Sequence, residues 1–310
     1  MLHMVPLYPR THFVNMDKLT YAADISRLEA ISGEANYSFI NGDIINQEIV
    51  DTIMRDDVEA VVNFAAHSHV DRSIAAPLDF IHTNICGSFY LLEAARKFKI
   101  KRFLQVSTDE VYGSLEEKEA FTEESTLAPN NPYAASKAAA DCLVRSYCKT
   151  YAFPGMVTRC TNNYGPRQHR EKFIPTVIYN ALQDEPVPLY GDGQQVRDWI
   201  FVADHCRALE QVLLQGKPGG VYNIGANEER TNLELAGSIL HILRKSPELL
   251  CFVKDRPGHD RRYALATDCI RKELGWQPRF DLEVALTRTV GWYVNYFKSA
   301  PASFAAAPNN

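Results

Sequence analysis

Short apolar runs alternate along the first half of the chain with longer stretches whose apolar residues recur every three or four positions. The runs that predict β-strands lie at residues 12–17, 37–40, 60–66, 103–107 and 153–160. The stretches that predict long helices lie at residues 78–97 and 132–151. Strands that alternate with helices in this way indicate an α/β fold, with a doubly wound parallel sheet of the Rossmann type.

The run at 60–66 is almost continuously apolar, AVVNFAA. A strand buried on both faces has this pattern, so we expect this run to lie inside the sheet. The small side chains of Ala65 and Ala66 at its end would let a flat cofactor lie close to the backbone.

The alternation becomes irregular in the second half of the chain. We therefore expect a Rossmann domain over residues 1–165, with segments near 195–225 returning to it. A smaller mixed α/β substrate-binding lobe is expected over residues 166–298. Within it, residues 280–297 predict a helix that closes on the core. Residues 299–310, rich in alanine, proline and asparagine, predict a flexible tail.

Composition and charge exclude several classes of partner. The chain has 310 residues, 46% hydrophobic and 23% charged, with a net charge of −5 and a pI near 6.0. This balance argues against a general nucleic-acid surface. No apolar run reaches the about 18 residues of a membrane span, and the N-terminus lacks the pattern of a signal peptide. Seven scattered cysteines without a C-x-x-C pair predict reduced, buried thiols in a cytoplasmic protein, with no zinc site.

Polar side chains with complementary chemistry follow the strand at 103–107. Thr108, Asp109 and Glu110 come directly after it, at the carboxyl end, where open α/β sheets place their ligands. Tyr133 and Lys137 lie four residues apart at the start of the second long helix, so they share one face. We expect these five side chains to meet over one cleft.

Their chemistry indicates alcohol oxidation coupled to a second proton transfer. A phenol titrates near pH ~10, and a neighbouring ammonium favours its phenolate form. Thr108 can hydrogen-bond the same substrate hydroxyl as Tyr133. No side chain accepts a hydride, so the site implies a nicotinamide cofactor. Simple oxidation needs one base, and the adjacent Asp109 and Glu110 therefore indicate a further acid–base step.

Asp17 ends the first predicted strand. In a dinucleotide fold, an acid at this position accepts hydrogen bonds from the adenosine ribose and disfavours a 2′-phosphate, which points to NAD over NADP. The alternative is an aspartate that only starts a loop.

Several motifs in order give a resemblance to a known family. They are STDEVYG at 107–113, Y-x-x-x-K at 133–137, FAAHSHVDRS at 64–73, NNYGP at 162–166, RDW at 197–199 and DRPGHDRRY at 255–263. A single Y-x-x-x-K motif is weak, whereas the ordered set is strong. The chain resembles the extended short-chain dehydrogenase/reductase family and, within it, the dTDP-glucose 4,6-dehydratases, from about residue 13 to about residue 293.

The resemblance implies NAD, a dTDP-glucose substrate and a set of roles. The implied catalytic residues are Thr108, Asp109, Glu110, Tyr133 and Lys137. The implied cofactor contacts are Asp17, Lys18, Leu19, Thr20, Asp43, Ile44, Ala65, Ala66, Ser68, Thr83, Ser107, Tyr133 and Lys137. The implied substrate contacts are His69, Thr108, Asn162, Glu171, Lys172, Phe173, Pro188, Tyr190, Arg197, Asn223, Arg256 and His259. For Asn84 we favour a buried polar residue with satisfied hydrogen bonds, and His67 departs from the family pattern.

The substrate contacts have a physical rationale and a plainer alternative. Arg197 and Arg256 can clamp diphosphate oxygens with paired donors, and Tyr190 can pack against a base. Any one of the basic residues can instead be a solvated surface charge. Asp198, next to Arg197, can simply neutralise it.

The glycine-rich turn of a dinucleotide fold has no counterpart here, because the first glycine is Gly33. About twenty residues of the family pattern, including the first strand, are missing from this sequence. That strand lies mid-sheet, so its absence would separate the strands at 12–17 and 37–40 from the rest. We expect a truncated sequence, with a poor NAD binder as the alternative.

Family members pair the helices at 78–97 and 132–151 across a two-fold axis, which implies a homodimer, although core burial explains part of the same pattern. The family reaction oxidises the sugar, eliminates water and reduces carbon 6, giving a 4-keto-6-deoxy sugar. Two alternatives stay open: a sugar-nucleotide epimerase or decarboxylase, which would not need the adjacent acids, and a non-catalytic remnant.

Overall fold

The computed structural model describes residues 1–115 and 119–299 of the chain. Within the predicted tail, Ser299 ends the last helix, and residues 300–310 lie outside the described residues. The strands are β1 Phe13–Asp17, β2 Tyr37–Asn41, β3 Ala60–Asn63, β4 Arg102–Thr108, β5 Gly155–Cys160, β6 Asn162–Tyr164, β7 Val187–Tyr190, β8 Val196–Phe201, β9 Val221–Ile224, β10 Glu229–Thr231 and β11 Leu250–Val253.

The α-helices are α1 Met4–Leu7, α2 Gln47–Arg55, α3 Val70–Ala75, α4 Pro77–Phe80, α5 Ser88–Lys97, α6 Pro132–Tyr151, α7 Phe173–Leu182, α8 Val202–Gln215, α9 Asn232–Leu243, α10 Asp268–Leu274 and α11 Leu282–Ser299. A π-helical segment, Ile81–Gly87, joins α4 to α5. Short 3₁₀ turns cover Ile25–Ile31, Asp109–Tyr112 and Pro247–Leu249. The two long helices predicted from the sequence are confirmed, with a π segment inside the first.

The principal sheet is parallel and has the strand order β3-β4-β5-β9. The β1 and β2 strands form a separate parallel pair. The expected separation of these two strands from the rest is therefore confirmed. Apolar side chains of α2, α5 and α6 pack on β4 and β5, with Leu92, Phe103, Val144 and Val157 in the core.

The third strand differs from the prediction. It ends at Asn63, and residues 64–66 belong to the loop that follows. Only Asn63 of this strand is buried, and Phe64 is 61% exposed. The expectation of a strand buried on both faces is wrong: β3 lies at the edge of the sheet, and its residues 60–62 are exposed or only partly buried.

The second half of the chain forms two further small sheets, and we refer to these sheets and the helices around them as the lobe. Its strands pair in the orders β10-β8-β6 and β11-β7. Helices α7, α9 and α11 surround a core that contains Ile178, Trp199, Ile239 and Leu286. The predicted closing helix is confirmed as α11. The division of the chain into a Rossmann domain over residues 1–165 and a substrate-binding lobe over residues 166–298 stays a prediction.

The exposure of the cysteines and the character of the helices both bear on predictions made from the sequence. All seven cysteines are free thiols, but only Cys160 is buried. Four are partly buried, and Cys142 and Cys251 are exposed, so the prediction of buried thiols is wrong for these two and holds in full for Cys160 alone. Cys142 lies within α6 and Cys251 within β11, each on an exposed position of its element. Among the described residues, no helix combines the length and the apolar character needed to cross a membrane.

Candidate active site

The acid pair lies where β4 turns into a short 3₁₀ segment. Thr108 caps this segment by accepting a hydrogen bond from the Glu110 backbone N–H at 3.2 Å. The Thr108 hydroxyl donates to Asp109 Oδ1 at 3.0 Å. Asp109 is only 2% exposed, and its second oxygen, Oδ2, is buried without a hydrogen-bond partner. A buried oxygen in this position is free to meet a ligand.

The first turn of α6 brings Tyr133 to the same place. Asn131 caps the helix by accepting a hydrogen bond from Ala134 N–H at 2.8 Å, and Pro132 occupies the first helical position. Asn131 also donates its side-chain amide to Glu110 Oε2 at 3.2 Å. Thr108 lies within reach of the Tyr133 hydroxyl and acts to lower the pKa of that phenol. The phenol, the threonine and the two acids therefore meet as the sequence predicts.

Lys137 lies one turn further along α6 and is buried. Its ammonium donates to the backbone carbonyl of Val106 in β4 at 2.6 Å. That contact fixes the lysine under the end of the strand that carries Thr108. The five predicted catalytic residues thus occupy one region, while their roles stay predictions.

The electrostatics of Tyr133 differ from the expectation. Burial, followed by the charges of Glu110, Cys160 and Asp109, raises the pKa of Tyr133 well above its ordinary value. Burial also lowers the pKa of Lys137. In the protein alone the pKa of Tyr133 is therefore not lowered by Lys137, because desolvation and nearby carboxyls outweigh the ammonium.

Both acids bind protons more tightly than usual. Burial raises the pKa of Asp109 to about 8, and the neighbouring Glu110 adds to this effect. Burial also raises the pKa of Glu110, against the opposing influence of Arg256 and the hydrogen bond from Asn131. Asp109 is thus protonated at neutral pH. Two adjacent carboxyls in different environments can act as an acid and a base.

Predicted cofactor contacts gather at the carboxyl ends of β1 and β2. Asp17 Oδ1 accepts a hydrogen bond from Leu19 N–H at 2.7 Å, and its side chain is exposed to a ligand. Lys18 and Asp43 form an ion pair at 2.6 Å. Thr20 follows in the same exposed loop. These residues form one edge, as expected for a ribose site.

The remaining predicted cofactor contacts lie along the loop after β3 and on the helices beside it. Ala65 and Ala66 are partly buried there, and Ser68 is exposed. Ile44 is buried, packed under Gly87 of the π segment, whose absent side chain makes room for it. Thr83 is partly buried in that segment, and Ser107 is buried at the end of β4.

Asn84 and His67 form a structural pair. Asn84 accepts from His67 N–H at 2.9 Å and donates to the His67 carbonyl at 3.1 Å and to Ser136 Oγ at 2.8 Å. Asn84 is therefore the satisfied buried polar residue that we favoured. The His67 ring lies 5.4 Å from Phe80, which lies 6.3 Å from Tyr133. His67 thus contributes to the wall behind the tyrosine.

Predicted substrate contacts bring the lobe against the first domain. Glu171 accepts a hydrogen bond from the Tyr21 hydroxyl at 3.0 Å and lies 3.7 Å from His69 and 3.8 Å from Arg72. Lys172 donates to the carbonyl of Ser68 at 2.9 Å. Tyr21 was not singled out from the sequence, because a loop tyrosine has no local signal for such a contact.

A second group of substrate contacts lies near α3. The Tyr190 hydroxyl donates to Asp71 at 3.3 Å, and Arg256 lies 3.7 Å from the same carboxylate. His259 pairs with Asp255 at 2.6 Å and packs edge-on against Tyr190. The Nε atom of Arg256 is buried without a partner, so this donor is available to a ligand.

Arg197 is held differently from Arg256. Its terminal nitrogens donate to the carbonyls of Val196 at 2.7 Å and Asp260 at 2.9 Å, and it lies 4.4 Å from the Tyr263 ring. Its contact with a diphosphate stays a prediction. Asp198 accepts from the backbone N–H groups of Ala226 and Glu228. The interpretation that Asp198 neutralises Arg197 is wrong, because neighbouring strand residues point to opposite faces.

The structure does not bring Asn223 to the cleft. Asn223 is 0% exposed, accepts from the Tyr112 hydroxyl and donates to the Phe121 carbonyl. Its assignment as a substrate contact stays a prediction without support from this geometry. Phe173 is stacked on Trp199, and Pro188 is exposed on β7. Asn162 begins β6, partly buried.

Comparisons with known proteins place the chain in a family. The family model described as GDP-mannose 4,6 dehydratase matches residues 4–289. The chain belongs to this family. It is 47% identical over 300 residues to a dTDP-glucose 4,6-dehydratase of Xanthomonas campestris, covering 91% of this chain and 86% of the relative.

Solved structures agree with this placement. A dTDP-glucose 4,6-dehydratase of Bacillus anthracis, solved in complex with NAD, has 43% identity and a TM-score of 0.91, covering 96% of this chain and 93% of that one. One from Streptomyces venezuelae has 42% identity and a TM-score of 0.92, covering 95% and 91%. The predicted Rossmann-like α/β fold and the resemblance stated from the motifs are confirmed.

Proposed function

We propose that this protein is an NAD-dependent dTDP-glucose 4,6-dehydratase, which converts dTDP-glucose to dTDP-4-keto-6-deoxyglucose and water. One observation carries the proposal: a buried acid with a pKa of about 8 adjoins a second acid, and both lie beside Tyr133 and Thr108. The relatives of known name support the same activity.

The residues divide the work into oxidation and elimination. Tyr133, beside Thr108 and backed by Lys137, would take the proton of the sugar 4-hydroxyl as a phenolate. The positive charge of an oxidised nicotinamide would have to favour that form against the burial that raises the pKa of the tyrosine. The new ketone acidifies the proton on carbon 5, which Glu110 removes. Asp109 donates its proton to the departing 6-hydroxyl, so that water leaves. Glu110 then returns its proton to carbon 5, and the proton that Tyr133 took passes through solvent to Asp109, which restores both residues.

When bound, the nicotinamide would accept a hydride from carbon 4 and later return the same hydride to carbon 6. The residues present fit most of this cofactor: exposed Asp17 suits the adenosine ribose, and Ala65 and Ala66 leave room for a flat group. Asp109 Oδ2 is buried without a hydrogen-bond partner, so it is available to a bound ligand. The sequence supplies no glycine before Gly33, so the described residues include no glycine turn for the pyrophosphate.

Substrate recognition is assigned to the lobe. Arg256, with its unpartnered Nε, would hold the diphosphate, and exposed Tyr190 would pack against the base. Glu171 and Lys172 lie where the lobe meets the loop that carries Ser68, so they would close on the sugar.

An epimerase or decarboxylase of the same family is the principal alternative. It would share Tyr133 and Lys137 but would have no use for a buried acid pair. The pairing of Asp109 and Glu110, each with a raised pKa, favours dehydration.

We also propose a homodimer in the cytoplasm. Leu78, Ile81 and Phe89 expose large apolar side chains along the segment that the resemblance pairs across a two-fold axis. The cytoplasmic location rests on the scattered cysteines without a disulfide or zinc pattern. Light scattering of the wild type and of Phe89→Glu tests the dimer, which the added charge should dissociate.

The activity is tested with purified protein and dTDP-glucose. The expected result is a 4-keto-6-deoxy product, detected by its absorbance in alkali, together with nicotinamide bound to the protein. A 4-epimer without keto sugar would support the epimerase. Protein that carries no nicotinamide, and forms no product when NAD is added, would be a non-catalytic remnant and would refute the proposal.

A further inference from the structure

A fully buried ion pair lies behind the proposed catalytic residues. Asp141 of α6 and Arg159 of β5 are both 0% exposed, and Arg159 Nε lies 2.9 Å from Asp141 Oδ2. Arg159 Nη1 donates to the Tyr112 hydroxyl at 2.8 Å, which in turn donates to Asn223 Oδ1 at 2.8 Å. Desolvation makes such pairs costly, so stability alone is a weak reason for one.

The position of Asp141 relates it to Lys137. The two residues lie four apart on α6, as Tyr133 and Lys137 do, so the three side chains follow one face of the helix. This face packs on β4 and β5, where the Lys137 ammonium reaches the Val106 carbonyl and Asp141 reaches Arg159. Asp141 Oδ1 and Ser107 Oγ are buried on this face, and Ser107 favours the charged form of Asp141.

The charges that face Lys137 are few. On its own helix Asp141 is the neighbouring charge, and on β5 the thiol of Cys160 is the titratable group. From β4 the contact is the neutral Val106 carbonyl. Burial lowers the pKa of Lys137, and Asp141 raises it. The aspartate thus opposes the desolvation of the ammonium.

We propose that Asp141 is a positioning residue, which keeps the Lys137 side chain charged and directed along the helix face toward Tyr133, while Arg159 and Tyr112 hold the Asp141 carboxylate in place. The consequence for turnover rests on the proposed function. The protonation of Lys137 itself can be measured without turnover, so the two can fail separately.

The experiment follows Lys137 directly. The protein is produced with lysine labelled with ¹³C at Cε, and the Lys137 signal is assigned by its loss in Lys137→Met. In Asp141→Asn, the midpoint of its titration should fall by about one pH unit or more. Asp204→Asn is the matched control, because Asp204 is also buried and paired with an arginine, but on α8. An unchanged midpoint in Asp141→Asn overturns the proposal.

A double variant separates two effects of Asp141→Asn: the loss of the Asp141 charge near Lys137, and the unpaired charge that the change leaves on Arg159. Asp141→Asn with Arg159→Gln removes both charges, and it also serves if the single variant fails to fold. The midpoint of the Lys137 titration should stay low in the double variant. A return of the midpoint to the wild-type value would mean that Asp141 only neutralises Arg159, and would overturn the proposal.

Kinetics add a second readout. The alkaline limb of the kcat profile should move to lower pH in Asp141→Asn, with little change in KM, because substrate contacts are untouched. Loss of kcat at every pH without this movement contradicts the proposal. If the wild type forms no keto sugar while the Lys137 midpoint still shifts, the proposed function fails and the role of Asp141 stands.

Discussion

Asn131 joins the start of α6 to the acid pair, since its amide nitrogen donates to Glu110 at 3.2 Å while its oxygen accepts from Ala134 N–H at 2.8 Å. One side chain therefore sets both where the helix begins and where a proposed base lies. This dual contact couples the register of Tyr133 on the helix to the position of Glu110 after β4.

Asn131→Asp should separate the two tasks. The aspartate still caps α6, so the free energy of unfolding should stay within about 0.5 kcal/mol of the wild type. It cannot donate to Glu110 and adds a negative charge, so the pKa of Glu110 should rise and turnover should fall about tenfold or more. Urea unfolding and a pH profile of kcat provide the measurements. Asn131→Ala, the control, should lose about 1 kcal/mol of stability; equal stability losses in both variants would contradict this division.

Glu110→Gln should block elimination more than oxidation. The amide keeps the size of the side chain but cannot take the proton from carbon 5, so the loss of product formation should be about 10²- to 10⁴-fold. Oxidation at carbon 4 depends on Tyr133 and should persist. It is measured by the absorbance of the reduced nicotinamide that forms after dTDP-glucose is added. Tyr133→Phe is the matched control and should abolish that absorbance. Equal loss of both signals in Glu110→Gln would refute the division of roles.

Asp109 makes the stability of the protein depend on pH. Its pKa is about 8 in the folded protein against an ordinary value of 3.8. The folded state therefore holds a proton that the unfolded state loses between these values, and the free energy of unfolding falls as pH rises through this window. The fall from this group is at most about 1.4 kcal/mol per pH unit.

Asp109→Asn should remove that contribution, because asparagine mimics the protonated acid and can still accept from Thr108. The variant should gain stability over the wild type between pH 6 and pH 8 while losing dehydration. Urea unfolding at several pH values tests this. Parallel pH dependences in the two proteins would show that Asp109 has an ordinary pKa.

Local patterns were sufficient to predict much of the fold and the proximity of Thr108, Asp109, Glu110, Tyr133 and Lys137. The strand before Thr108 and the helix from Pro132 were predictable because apolar periodicity and the Asn-Pro start are local signals. The same pattern failed at β3, where the pairing of the strand, and not its composition, decides what is exposed.

Electrostatics and side-chain direction were less predictable. The spacing of Tyr133 and Lys137 is readable, but the sign of the shift in the tyrosine pKa depends on burial and on carboxyls brought from another element. The contact of Asn131 with Glu110 likewise depends on the fold, because the two residues come from different elements. Asp198 and Arg197 are neighbours in sequence and yet serve opposite faces of β8.

The two arginines expected to hold a diphosphate should behave differently when each is changed to glutamine. Arg256 has a buried, unpartnered Nε and a loose ion pair with Asp71 at 3.7 Å. Arg256→Gln should therefore raise the KM for dTDP-glucose about tenfold or more. It should change the free energy of unfolding by less than about 0.5 kcal/mol. Arg197 donates to the carbonyls of Val196 and Asp260, so Arg197→Gln should cost about 1–3 kcal/mol of stability. Steady-state kinetics and urea unfolding of both variants distinguish these effects. A KM unchanged by Arg256→Gln would remove Arg256 from the substrate site.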